Sequence, residues 1–290
     1  SIGSSSIVAD RMALGLCDYV VTESGFGVDC GGEKFFDIKC RYSGFKPDAC
    51  VLVCSLRGLK AQSKKFNIVP GKKINAAIFK EDLEALSEGA ANLKKQIQNV
   101  RIFGVPVIVC LNVFEKDTAR ELAFIASKAI ECGAADCVES TSWANGSRGA
   151  MELASSVVRH TRACESDFKF LYEDSLPLKE KIETVALQIY GASGVDFSVQ
   201  AREGLDIFSG EGFGHLPVCI AKTQFSLSHD ESLKGAPSGF RLPIKDVRLC
   251  SGAGFILAHA STMQTMPGLP MEPRGERVDV KCSGKVTGLS

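Results

Sequence analysis

The chain has 290 residues, 34 Lys plus Arg against 34 Asp plus Glu, and an apolar fraction of 45%. A formal charge of zero removes the broad positive field on which phosphate-backbone binding rests, so no nucleic-acid partner is expected. No apolar run reaches the ~18 residues of a bilayer span, so no membrane partner is expected either.

The first ten residues, "SIGSSSIVAD", begin with Ser1 and carry no signal-peptide pattern, and they read as the interior of a longer polypeptide. "DYVVTE" (18–23), "ACVLVCSL" (49–56) and "VPVIVCLN" (105–112) are short and Val-rich, and they predict strands covered on both faces. Between the second and third, Leu83, Leu86, Ala90, Leu93, Ile97 and Val100 recur at steps of three and four and predict one face of a helix. Thr118 and Glu121 have capping-box spacing. A helix with Leu122, Ile125, Ala129 and Ile130 inward follows, ended by Gly133, and "ADCVES" (135–140) predicts the next strand. Strand, helix, strand, helix, strand is the order of a mostly parallel α/β sheet.

After a soft boundary near Cys164, "DSLPLKEKIETVALQIYG" (174–191) predicts a helix with Leu178, Ile182, Val185 and Ile189 inward. "HLPVCIAKT" (215–223) predicts a strand, and residues 239–260 predict strands broken at 252–254. "TMPGLP" (265–270) predicts a tight turn. The expected units are 1–163, an α/β domain, and 164–290, a smaller α/β region. Twelve cysteines are irregularly spaced and form no CxxC pair, and several sit inside apolar runs. They read as reduced, buried small hydrophobes, with no metal site. The basic runs Lys64–Lys65 and Lys72–Lys73 read as solvated loops.

Ligands of open parallel sheets sit beyond the carboxyl ends of the strands. "LNVFEKDT" occupies such an end: Asn112 offers two donors and an acceptor, and Phe114 offers a flat face. Asp117 is either part of that site or an N-terminal helix cap. Trp143, the single tryptophan, lies in "STSWANGSRGA", either as a stacking wall or as a plug beneath the loop. "TESGFGVDCGGEKFFDIKCR" (22–41) is Gly-rich. Gly25 and Gly27 would allow backbone N–H groups to approach an anion, and Glu23 would face the same edge as Asn112. The alternative is an amphipathic segment burying Phe35, Phe36 and Ile38. Walker-A, HExxH and GxSxG patterns are absent.

The strings "YVVTESGFGVDCGGEKFFDIKCR", "FGVPVIVCLNVFEKDT", "GFGHLPVCIAKTQFSLSHD" and "MQTMPGLP" together resemble formate–tetrahydrofolate ligase, with a flavour nearer to eukaryotic C1-tetrahydrofolate synthases. The resemblance implies ATP-driven joining of formate to N10 of tetrahydrofolate through formyl phosphate. It implies Mg2+ with the ATP, a monovalent cation, a P-loop-NTPase-like large domain and a homo-oligomer. The implied location is the cytoplasm, or the mitochondrion for a eukaryotic source. It also implies that two aromatic residues, matching Phe114 and Trp143, clamp a pterin or adenine ring. The family's phosphate-binding loop lies upstream of anything in this chain, so the phosphate-binding residues are expected upstream of Ser1, on a missing N-terminal segment or its own polypeptide. "AQSKKF" replaces the usual His-Gly-Gly run after Lys60, and Ile2 stands where His is usual. The chain therefore reads as part of such a ligase. The alternatives are a non-catalytic binding or assembly module and another small-molecule α/β enzyme.

Overall fold

The computed structural model describes residues 3–66, 68, 74–260, 273–282 and 286–288. The basic pair Lys72–Lys73 and the turn expected at 265–270 lie outside the described residues. α1 (Ile7–Leu14) starts at Ser6, whose Oγ accepts from Val8 N and Ala9 N. An ion pair holds this helix down: Asp10 lies 2.5 Å from the buried Lys39. The strand expected at 18–23 does not form. The segment is held by side-chain hydrogen bonds, Thr22 with Ser5 and Arg162 Nε donating to the Tyr19 hydroxyl at 3.3 Å, with an isolated Ser4–Ser24 bridge just after it, and Val21 is 89% exposed. An apolar run becomes a strand only where a sheet edge receives it, and among the described strands none does.

The Gly-rich stretch is helical instead. Two π-helical turns, Val28–Gly32 and Phe35–Cys40, run into α2 (Arg41–Ser43). Phe36 and Ile38 are buried, as the amphipathic alternative requires.

The expected alternation then appears: β1 (Cys50–Cys54), α3 (Leu56–Ala61), α4 (Leu83–Ile102), β2 (Val107–Asn112), α5 (Ala119–Glu131) and β3 (Asp136–Ser140). The sheet order is β1-β2-β3 and all pairs are parallel, with Cys50 opposite Val107 and Asn112 opposite Ser140. β2 is central and buried up to Leu111. α4 and α5 pack on each other and on the sheet. Leu86, Leu93, Ile97 and Val100 of α4 are buried, each worth roughly 1.5–3 kcal/mol of transfer free energy. Leu122, Ile125 and Ala129 of α5 point inward, but Ile130 is 51% exposed and lies off that stripe. Gly133, at φ 95°, ends the helix in a conformation other residues avoid.

α6 (Ser142–Asn145) and α7 (Met151–Arg162) follow, and α7 packs on β2 and β3. α8 (Leu178–Val185) continues as a π-turn to Tyr190, and all four expected inward residues are buried. β4 (Gly194–Phe197), α9 (Val199–Gly210), β5 (Val218–Ala221), β6 (Arg241–Ile244), β7 (Asp246–Cys250) and β8 (Phe255–His259) complete the second half, with a short antiparallel pair β9 (Asp279–Val280) and β10 (Val286–Thr287). β4 pairs parallel with β6, while β8 lies between parallel β5 and antiparallel β7. The main core joins residues on both sides of Cys164, among them Ile97, Val109, Ile182 and Ile220. Asn99 Nδ2 crosses to Ile189 O at 2.9 Å. All twelve cysteines are free. No described helix is long and apolar enough to cross a membrane.

Candidate functional site

β2 ends at Asn112, and the chain then turns tightly before α5. Asp117 closes that turn: its Oδ2 accepts from Phe114 N at 2.9 Å, and its own N donates to Phe114 O at 2.9 Å. The helix cap is Thr118, whose Oγ1 accepts from Glu121 N. Asp117 is therefore not the cap that one reading of the sequence allowed. It fixes the backbone of Phe114.

Trp143 arrives from the neighbouring strand. Ser140 ends β3 buried, its Oγ accepts from Ser142 N, and Thr141 N donates to Gly149 O. These bonds hold the single turn of α6 beside the Phe114 turn. Trp143 is 73% exposed, so it does not plug the space beneath the loop.

The ring centroids of Phe114 and Trp143 lie 6.1 Å apart with planes at 52°. This is a tilted pair within ordinary aromatic contact range. Carbon contact distances of about 3.5 Å on each face of an inserted ring require about 7 Å between parallel walls. Insertion of a ring between them therefore requires the exposed indole to move.

Arg57, Ile78, Phe79, Glu115, Lys116 and Asp117 complete the crevice, whose volume is about 170 Å³. That is below the roughly 300–1,000 Å³ of a whole small-molecule site and suits one flat ring. The Arg57 guanidinium lies 5.2 Å from the Phe114 centroid and 5.7 Å from that of Phe79. The Lys116 ammonium lies 5.1 Å from Phe79. The crevice thus offers π-faces and two cations, a chemistry of stacking and anion contact.

Of the residues proposed from sequence, Phe114, Trp143 and Asp117 meet here. Asn112 stands at the strand end, and its side chain makes no hydrogen bond among the described residues. Glu23, Gly25 and Gly27 do not line the crevice. Two of the amides there are taken by protein carbonyls, Gly25 N by Gly3 O at 2.8 Å and Gly31 N by Gly25 O at 3.0 Å. Arg57 and Phe79 were not singled out from sequence. The mixture of Arg and Phe near strand ends, in "SLRGLK" and "AAIF", was the available signal.

A second groove, about 650 Å³, runs along β3 past Asp136, Glu139, Glu152 and Arg159. Its central carboxylate is already engaged, since Asp136 pairs with Arg159 and accepts from Ser156 Oγ at 2.5 Å. Among the described residues no group of three or more His, Cys, Asp or Glu side chains forms a metal site. No step is assigned to a metal.

A family model described as formate–tetrahydrofolate ligase matches residues 1–290. The chain is 47% identical to the formate–tetrahydrofolate ligase of Roseiflexus castenholzii over 99% of its own length and 51% of that protein. It is 48% identical to the enzyme of the same name from Aeromonas hydrophila, over 99% of the chain and 50% of that protein. It is 44% identical to the cytoplasmic C-1-tetrahydrofolate synthase of Schizosaccharomyces pombe, over 100% of the chain and 32% of that protein. The chain thus spans about half the length of the ligases and about a third of the synthase.

Proposed function

Because the chain belongs to the formate–tetrahydrofolate ligase family, we propose that it is part of an ATP-dependent ligase joining formate to N10 of tetrahydrofolate, and that its own contribution is the ring-stacking wall. The observation that carries this reading is the exposed Phe114–Trp143 pair at the carboxyl lip of a parallel sheet.

Formate is a poor electrophile, because its carboxylate is charged and resonance-stabilised. Phosphorylation by ATP converts it to a mixed anhydride with a good leaving group, which the weakly basic N10 amine then attacks. The task left to the protein is to hold the partners in line and keep water out. Phe114 and Trp143 hold a flat ring, Asp117 fixes the turn that carries Phe114, and Arg57 and Lys116 supply positive charge at its edge.

The phosphate cradle, in a P-loop-NTPase-like arrangement, comes in this reading from sequence outside these residues. It seats on apolar side chains that are exposed here: Met12, Leu16, Val21 and Val53. The setting is cytoplasmic, as the name of the Schizosaccharomyces pombe relative has it.

Calorimetric titration of tetrahydrofolate into the protein and into Trp143→Ala tests the wall. Stacking is worth about 1–3 kcal/mol per ring, so a loss of affinity of about tenfold or more is expected. Equal affinities remove Trp143 from the site. A second reading, a non-catalytic binding or assembly module, is favoured by the engagement of the Asp117 carboxylate with Phe114 N, which gives it a structural task. Turnover of ATP, formate and tetrahydrofolate by the purified chain refutes it.

A further inference from the structure

Behind the crevice, one ion pair joins the elements that build it. Lys60 of α3 and Glu121 of α5 are 2% and 0% exposed, with Nζ 2.6 Å from Oε1. Lys60 Nζ also donates to Ile78 O at 3.3 Å and to Lys80 O at 2.7 Å. These carbonyls flank Phe79. Glu121 Oε1 accepts in addition from Asp82 N at 2.8 Å, at the start of α4. Apart from Thr118 Oγ1, which donates to Glu121 Oε2 at 3.4 Å, the polar bonds of the pair converge on residues 78–82.

Each partner also belongs to a crevice wall. Arg57 lies one helical turn before Lys60 on α3. Glu121 lies in the first turn of α5, directly after the Phe114 turn. The base of Lys60 is rigid, because a Cβ added at Gly89 of α4 would stand 1.9 Å from Leu59 O, which shows how closely α3 and α4 approach. Phe66, Ile78 and Ala85 pack as a small core beneath, with Phe79 against it.

Burying two charges carries a desolvation cost that their attraction need not repay, so stability alone is a poor reason for this pair. Two apolar side chains of equal volume would hold the helices. They would not fix the directions of two carbonyls and an N–H.

We propose that Lys60, held by Glu121, is a positioning residue for the ring site. It fixes the backbone on both sides of Phe79 and so holds that ring as a further wall of the crevice beside the Phe114–Trp143 pair. This rests on the ring-binding reading of the crevice.

The test is calorimetric titration of tetrahydrofolate into Phe79→Ala, Lys60→Met and the double variant, with Trp143→Ala alongside. Each single change at 60 or 79 is expected to weaken binding about tenfold, and the double variant is expected to bind no worse than Phe79→Ala. An additive loss, or unchanged affinity in Lys60→Met, overturns the proposal. Loss in Trp143→Ala with none in Phe79→Ala overturns it while leaving the ring-binding reading intact. Loss in neither ends both. Lys60→Met leaves Glu121 buried without its cation, so Lys60→Met/Glu121→Leu serves where the single variant unfolds. A folded protein of that kind with unaltered affinity also overturns the proposal.

Discussion

Two stretches of this chain mix aromatic and charged residues, and they end in opposite surroundings. In residues 104–118 and their neighbours the rings face water: Phe114 is partly exposed, Trp143 largely so, and Arg57 and Lys116 lie over ring faces. In residues 28–41 the charges themselves are buried. Asp29, Glu33, Asp37 and Lys39 are at most 4% exposed. Lys222 reaches in from the second half of the chain, 2.6 Å from Asp29 Oδ2 and also bonded to Thr223 O and Ser226 O. Gln96 Nε2 holds the other oxygen of Asp29 at 2.7 Å. Charge next to aromatic residues therefore has no fixed meaning. Where water reaches the rings, they are free for a ligand. Where it does not, charges such as Asp29 and Lys39 are committed to partners, and the partner decides stability. The comparison predicts that changes in the buried knot alter stability and spare ring binding, and that changes in the crevice do the reverse.

The largest effect tests the knot. Lys222→Met leaves Asp29 as a buried anion with only Gln96 and weak donors around it, and breaking such a pair costs about 3–5 kcal/mol. Urea unfolding should show a loss of that size, and Asp29→Asn added to Lys222→Met should recover part of it. A loss within 1 kcal/mol, taken as an order-of-magnitude limit for a surface pair, would mean that water reaches Asp29 and that the contrast between the two regions is overdrawn.

The next effect concerns protons. Burial first, then the charge of Asp29, pushes the Glu33 carboxyl up to about 7 from an ordinary 4.5, with Lys34 acting in the opposite sense. Burial and the neighbouring Glu33 raise Asp37 as well. As carboxylates, both Glu33 oxygens and Asp37 Oδ2 would lack a hydrogen-bond donor. One retained proton between two acids a helical turn apart relieves this.

The folded state thus binds more protons than the unfolded chain between about pH 4.5 and about pH 7. The associated stability is complete below about 4.5 and is lost as pH rises to about 7. Glu33→Gln should flatten this decline and leave the protein more stable above it, by about 1–3 kcal/mol. Unfolding curves at several pH values check it; parallel profiles for the two proteins would show that the proton sits elsewhere.

What could be read from the sequence divides along the same line. β1, β2, β3, α4 and α5 follow from local periodicity, while the strand-end positions of Phe114 and Trp143 left their roles open and only the family resemblance paired them as a ring clamp. The strand expected at 18–23 failed because an apolar run cannot announce whether an edge awaits it. The capping box at Thr118 formed only on the Thr side. Glu121 turns away to Lys60, a partner far off in the chain. Phe79 and Arg57 escaped notice for the same reason: their nearness to Phe114 is created by α3 and α4 packing together. The Gly-rich stretch suggested a phosphate cradle because flexible backbone suits either an anion or close packing, and here the amides found protein carbonyls.

The smallest expected effect tests the crevice from the other side. An indole that is 73% exposed on a single helical turn buries little area, and surface substitutions away from special features usually move stability by no more than about 0.5 kcal/mol. Trp143→Ala should therefore unfold at the same urea concentration as the parent while losing ring affinity. Its neighbours give no reason for more: Ser140, Ser142, Thr141 and Gly149 hold α6 through bonds that do not involve the indole. A marked loss of stability would mean that the ring is packed in solution as it is not here, with its face covered by protein and closed to a heterocycle. The residue would then belong with the buried knot, and the division between a ligand-facing region and a stability-bearing one would have to be redrawn around Phe114 and Phe79 alone.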